Sequence, residues 1–199
     1  MSQRSVFAVA ADIFRISGSE YIPSVKLQKL VYYVFGWYGR LTGEELFGQT
    51  FYAMKHGPVV SELLSSHAGK TRVTRDLMEV ASDDFQDMPQ KEDLYYEQVL
   101  RAVLGFYDQF DQWALRDLSH QETVWIDAWE SRQGERGDLD RAEIIRYFLA
   151  RKDVPESLIK LLPVPQVTYL SGLDAEGLEA IHGEYPRDFI QSLRSIPVA

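Results

Sequence analysis

The sequence contains no cysteine. That excludes a disulfide framework, thiolate nucleophiles and cysteine-ligated zinc, and it suits a reducing compartment. A long apolar run is missing too. Asp12 and Arg15 interrupt the first apolar stretch, and nothing approaches the roughly 20 apolar residues that span a bilayer. No signal peptide is evident after Met1-Ser2-Gln3-Arg4-Ser5, so a cytoplasmic protein away from the membrane is expected. Histidine is scarce. His56, His67, His120 and His182 form neither an H-E-x-x-H pair nor any pair at i, i+4, and without such a local signal no metal and no cofactor are expected. Net positive charge is also absent. With 21 Lys+Arg against 30 Asp+Glu the chain carries −9, which argues against direct binding of nucleic acid. A phosphate-binding loop is not present either. Gly69-Lys70-Thr71 has its ending, but Leu64 stands where the first glycine is required, so the triplet reads as a surface loop.

Apolar residues make up 45% and charged residues 26% of the 199, an ordinary globular composition with enough chain for a sizeable core. The charge is uneven. Residues 1–75 hold nine Lys+Arg against five Asp+Glu, and residues 76–199 hold 12 against 25. The acidic portion serves solubility, and it can also steer a basic partner.

The hydrophobic pattern is mainly helical. Val6, Phe7, Ala10, Ile13 and Phe14 predict a first amphipathic helix over about 5–17, ended by Gly18. Leu27, Leu30, Val31, Val34 and Tyr38 fall at i, i+3, i+4, i+7 and i+11, while Phe35, Trp37 and Leu41 lie off that stripe. A helix apolar on so many faces is a central one, packed on several sides. Ser24 is its expected cap and Gly43 its expected stop. Residues 46–54 are aromatic and strand-like. Gly57 then permits a sharp turn, and Pro58 is expected to open a helix running from Val59 to about His67. Residues 76–93 hold seven acidic residues and few large apolar ones, so 68–93 should add little to the core and contain mobile loop. Tyr96, Val99, Leu100, Val103, Phe106, Tyr107 and Phe110 predict another helix. A shorter one follows over 114–118. Asp140 with Glu143 forms a capping-box pattern ahead of a helix over about 141–152, with Leu139 and Ile144 as a hydrophobic staple. Beyond it, 162–167 should be extended around its prolines, and 174–182 and 186–194 read as two short helices. The expected fold is therefore mainly α with a small β-element. It is a compact helical domain (1–152) around a central apolar helix, with a C-terminal extension (153–199) packed on it.

Several of these segments share an order and spacing with a known family. Lys26-Leu27-Gln28-Lys29-Leu30, Gly36-Trp37, Leu41-Thr42-Gly43 and Lys55-His56-Gly57-Pro58-Val59 resemble the Panacea domain of SocA-like antitoxins, found in bacteria, prophages and phages. Ser119-His120-Gln121-Glu122-Thr123-Val124-Trp125 is similar to that family's T-H-x-E-x-P-W signature, with Ser119 for Thr and Val124 for Pro. Ile144 to Phe148 resembles its closing I-x-x-Y-F helix. The resemblance spans about residues 5–150. It implies an antitoxin that neutralises a cognate toxin, encoded by the adjacent gene, through direct protein–protein contact. A related role it implies is that of a proteolytic adaptor delivering a toxin to a ClpXP-type protease. A third is a phage-associated interaction protein with no toxin.

An enzyme is the competing class. His120 with Glu122 has the composition of an acid–base pair, but no nucleophile motif or glycine-rich cradle accompanies it. The expectation is no catalysis, with His120 buttressing a helix junction beside Trp125. Lys29, Tyr33, Trp37, His56, His120 and Trp125 are the candidate partner-binding residues, because aromatic side chains are frequent interface anchors.

Overall fold

Ser5 accepts a hydrogen bond from the Ala8 amide at 3.1 Å and so starts helix α1 (Val6–Ser17), which ends at Gly18. The computed structural model describes residues 4–84 and 93–167. After α1 come strand β1 (Tyr21–Pro23), the long helix α2 (Ser24–Thr42), the hairpin β2 (Phe51–Met54) and β3 (Gly57–Val60), α3 (Ser61–Ser66), β4 (Arg72–Thr74) and α4 (Arg75–Asp84). The second half holds α5 (Leu94–Tyr107), α6 (Gln112–Ser119), α7 (Thr123–Glu130), β5 (Gly137–Leu139), α8 (Arg141–Ala150) and α9 (Glu156–Ile159). The described residues are mainly α with a small β-element, as their periodicity predicts. Among them no helix is long and apolar enough to cross a membrane.

Helix α2 is the centre. It touches α1, α5, α6 and α8 as well as β1, β3 and β4, and only the side chains near its first turn, with Tyr38 and Arg40, keep appreciable surface. Gly43 ends it in the left-handed region at φ 73°, where a side chain would be strained. Its aromatic residues form a ring cluster with neighbouring helices. Tyr33 stacks on Tyr107 at 3.9 Å, and Phe148 of α8 meets Tyr32 and Trp37 edge-on at 5.7 and 5.4 Å. The Trp37 indole donates to the Tyr107 hydroxyl at 3.1 Å, which satisfies the one polar atom its burial would otherwise strand. Helix α8 starts at Asp140, whose carboxylate accepts from the Ala142 and Glu143 amides. Leu139 and Ile144 are both buried beside that cap.

Three local expectations are corrected. Ser24 is not the cap of α2. It is the first helical residue, no side chain caps that end, and its amide donates to the Thr71 carbonyl. Pro58 does not open a helix. It pairs with Ala53 inside β3, an edge strand of the sheet β3-β2-β5, where a missing N–H costs nothing. The helix begins only at Ser61, because β2 and the side chains of α2 already satisfy the backbone of 57–60. Residues 68–84 are not core-poor loop. β4 pairs antiparallel with β1, Ile22 opposite Val73, and α4 lies on α1 with Met78 fully buried. Leu77 and Ala81 flank Met78 against the core, a short apolar stripe of the kind that lets one helix cover another. Strand β5 completes the sheet by pairing Leu139 with Phe51. The helices expected over 174–182 and 186–194 lie outside the described residues.

Candidate functional site

The motif-bearing stretches of the sequence converge on one junction, where the N-terminal half of α2 meets the β2–β3 hairpin and the α6–α7 corner. Gly57, at φ 91°, lets the hairpin close so tightly that its Cα lies over Lys29 and Ser119. Lys29 is 1% exposed and donates from Nζ to the Pro58 carbonyl at 2.6 Å. Gln28 accepts from the Val60 amide at 2.8 Å. Together these two side chains of α2 hold the edge strand in place of a further strand. Ser119 donates to the Arg116 carbonyl at 2.8 Å, which keeps its hydroxyl fixed beside Gly57.

The α6–α7 corner splits its residues between the interior and the surface. Glu122, 2% exposed, accepts from the Tyr32 hydroxyl at 2.5 Å and from the Arg151 guanidinium at 3.2 Å. It therefore ties the corner to α2 and to the end of α8. Arg40 donates to the carbonyls of Phe148 and, at 2.9 Å, Arg151, so the last turn of α8 is held from both sides. His120 stacks flat on Trp125 at 3.9 Å, and Trp125 lies parallel to Trp129 at 5.7 Å. The Trp125 indole donates to the Met54 carbonyl at 3.3 Å, pinning the stack to the hairpin. Arg132 sits over Trp129 at 3.5 Å. Nearby, Asp111 caps α6 by accepting from the Trp113 and Ala114 amides, which leaves Trp113 45% exposed. Its ring meets His56 edge-on at 5.9 Å.

His56, His120 and Trp125 of the candidate partner-binding residues thus come together on one aromatic ledge, and Trp113 and Trp129 join them. Lys29 lies beneath. Tyr33 and Trp37 are fully buried and present no surface to a partner. On α2 every face is apolar, so periodicity alone does not separate a face that packs from one that binds. His120 and Glu122 do not act as one pair, since Glu122 is committed to Tyr32 and Arg151 while His120 belongs to the aromatic stack. Trp113 was legible as an aromatic residue just after a capping aspartate. Arg151 carried no local signal, because its partner lies 29 residues earlier. Among the described residues no three His, Asp or Glu side chains are placed to hold a metal ion.

Two ionisable groups inside the junction are displaced from their ordinary behaviour. Burial holds the Lys29 ammonium down at about 7, partly offset by the charge of Glu122. Burial pushes the Glu122 carboxyl up to about 7, against the hydrogen bond from Tyr32 and the charge of Arg151. A depressed lysine loses stability as pH falls from its unfolded value toward 7, because the unfolded chain binds the proton first. A raised carboxyl loses stability as pH rises from its unfolded value toward 7, because the unfolded chain releases its proton first. Relative to Lys29→Met, the wild-type protein should gain stability from about pH 7 to 9.5, and relative to Glu122→Gln it should lose stability from about pH 5 to 7. Urea unfolding of the three proteins across pH measures both slopes. A flat difference in either comparison would mean that the group is solvated in the folded protein.

A family model described as "Antitoxin SocA-like, Panacea domain" matches residues 27–126, the span from α2 through the first half of α7. No curated protein and no solved structure gives a significant match.

Proposed function

The chain belongs to the SocA-like antitoxin family with a Panacea domain, and from that premise we propose that it neutralises a cognate toxin, encoded by the adjacent gene, by direct protein–protein binding. The observation that carries this reading is the aromatic ledge. Trp113, His120 and Trp129 reach the surface around the buried Trp125, over the family's own motifs, with Arg116 and Arg132 against two of the indoles. Tryptophan and arginine dominate the energetics of protein interfaces, and a rigid, pre-stacked surface loses little entropy on binding.

The acidic portion contributes to encounter. A groove of about 630 Å³ between α7, β5 and α8 is rimmed by Asp127, Asp138 and Asp140, with Glu143 paired to Arg146 at 2.7 Å, and its net acidity would attract a basic toxin. The extension from 153 packs on the domain in the same reading. In support of that, Leu158 is fully buried, the Tyr95 hydroxyl donates to the Val164 carbonyl, and the Gln166 amide donates to the Leu41 carbonyl.

The test is co-expression with the product of the neighbouring reading frame, followed by calorimetry and growth rescue. Trp113→Ala should weaken binding by about 2 kcal/mol, roughly 30-fold, with little change in melting temperature, because the ring is half in solvent already. Association should slow as salt rises past about 0.15 M, where electrostatic reach falls to roughly 8 Å. Unchanged affinity and rescue in Trp113→Ala and Trp129→Ala together would remove the ledge from the toxin interface.

A further inference from the structure

The N-terminal end of α2, the β2–β3 hairpin and α3 enclose a second concavity, a pocket of about 140 Å³. Val25, Met54, Val59 and Leu64 wall it. Its buried polar side chains are engaged with one another or with the backbone. Gln28 and His67, each 2% exposed, lie within 3.4 Å of one another, and Gln28 also takes the Val60 amide. Lys29 is bound to the Pro58 carbonyl. A lining so largely apolar, with its buried polar groups engaged, favours apolar atoms over a polar guest. The volume is too small for a cofactor, since small-molecule sites run from about 300 Å³ upward. It matches one large side chain, as apolar cavities of about 150 Å³ accept a benzene-sized group.

The mouth carries a second signal. In a chain of net charge −9, two lysines stand beside this opening. Lys55 and His56 form the exposed two-residue turn of the hairpin, and Lys70 lies near His67, whose protonation is disfavoured first by burial and then by that lysine. Burial first, then the charges of Lys55, Arg116 and Lys29, disfavour the protonation of His56. Arg116 is neutralised by Asp117 at 2.6 Å, but among the described residues Lys55 and Lys70 make no ion pair. Trp113, packed on His56, extends the apolar surface from the mouth toward the aromatic ledge.

We propose that this pocket is an anchor socket for the toxin, taking one bulky apolar side chain from a toxin segment that carries an acidic residue beside it. The proposal rests on the antitoxin reading and adds the chemistry of the contact. The two charged regions divide the work. The acidic groove governs how fast a basic toxin arrives, and the socket governs how long it stays.

The probe is N-acetyl-leucine, an apolar side chain next to a carboxylate, titrated at millimolar concentration into the full chain labelled at its methionine methyl groups. The Met54 methyl lies in the pocket wall, and the fully buried Met78 serves as an internal control. Met54 should shift saturably with Met78 unmoved, and the neutral N-acetyl-leucinamide should bind at least threefold more weakly. Leu64→Trp, which fills the socket, should abolish the shift, and Lys55→Glu should erase the preference for the acid. An unmoved Met54, including one shielded by the chain's own C-terminal segment, overturns the proposal, and so does equal binding of the two probes. In the second arm, toxin dissociation from Leu64→Trp and Lys55→Glu should accelerate at least tenfold. If the wild-type protein binds the neighbouring gene's product and both variants release it at the wild-type rate, the socket is wrong and the antitoxin reading stands. If the wild-type protein does not bind that product, the antitoxin reading falls and the socket falls with it as a toxin site.

Discussion

Gly57→Ala should destabilise the protein by about 3 kcal/mol and lower its melting temperature by roughly 10 °C. Two causes add. Gly57 has φ 91°, a conformation that strains any L side chain. The new Cβ would also lie 2.6 Å from both Lys29 Cε and Ser119 Oγ, inside contact distance. Neither neighbour can move away cheaply. Lys29 would have to release the Pro58 carbonyl and leave its ammonium unpaired in the interior, and the Ser119 hydroxyl is tied to Arg116. The hairpin would yield instead, carrying Met54 and His56 out of the socket, so toxin affinity should fall along with stability. Gly69→Ala is the control, because Gly69 has φ 76° with nothing within 4 Å. It should cost only the conformational strain, about 1 kcal/mol. Equal costs at the two positions, measured by urea unfolding, would mean that the close approach to Lys29 and Ser119 does not matter.

Phe148→Ala should cost about 4 kcal/mol, the usual effect of removing a phenyl ring from a packed core. It should also reverse the effect of a second substitution. Gly36 faces Phe148 so closely that a Cβ there would lie 2.3 Å from the ring, and the ring is boxed in by Tyr32, Tyr33 and Trp37. Gly36→Ala alone should therefore destabilise by about 2 kcal/mol through overpacking. In the Phe148→Ala background the obstacle is gone and alanine favours the helix, so the same change should stabilise by about 1 kcal/mol. The coupling between the two sites is then about 3 kcal/mol, well above the additivity error for independent positions. Additive costs in the double mutant would show that α8 does not sit against α2 at this point. Because Phe148 lies beyond the matched residues 27–126, the same cycle tests whether α8 belongs to the cooperative unit of the family domain.

The helical framework was legible in the sequence because its signals are local. The stripe from Leu27 to Tyr38, the stop at Gly43 and the cap at Asp140 each depend on residues within a few turns of one another, and α2 and α8 form where those signals place them. The family motifs were equally legible, since order and spacing are properties of the chain alone. What the sequence left open was decided by pairing between distant segments. β1 and β4 are three residues each and lie about fifty residues apart, too short to show a period of two. Pro58 suits the first turn of a helix and an edge strand equally well, and the strand wins because β2, Gln28 and Lys29 supply partners for its neighbours. Lys29 and Glu122 carry charges that composition assigns to the surface. They are buried because Pro58, Tyr32 and Arg151 complete their hydrogen bonds, and without those partners burial would be prohibitive. The aromatic residues divide for a similar reason. Trp37 meets Phe148 and Tyr107 and stays inside, while Trp113 and Trp129 lie on helices whose outer faces nothing covers among the described residues. Local propensity decides which segments are helical, but whether a polar atom or an aromatic ring can be buried depends on partners that only the folded chain brings within reach.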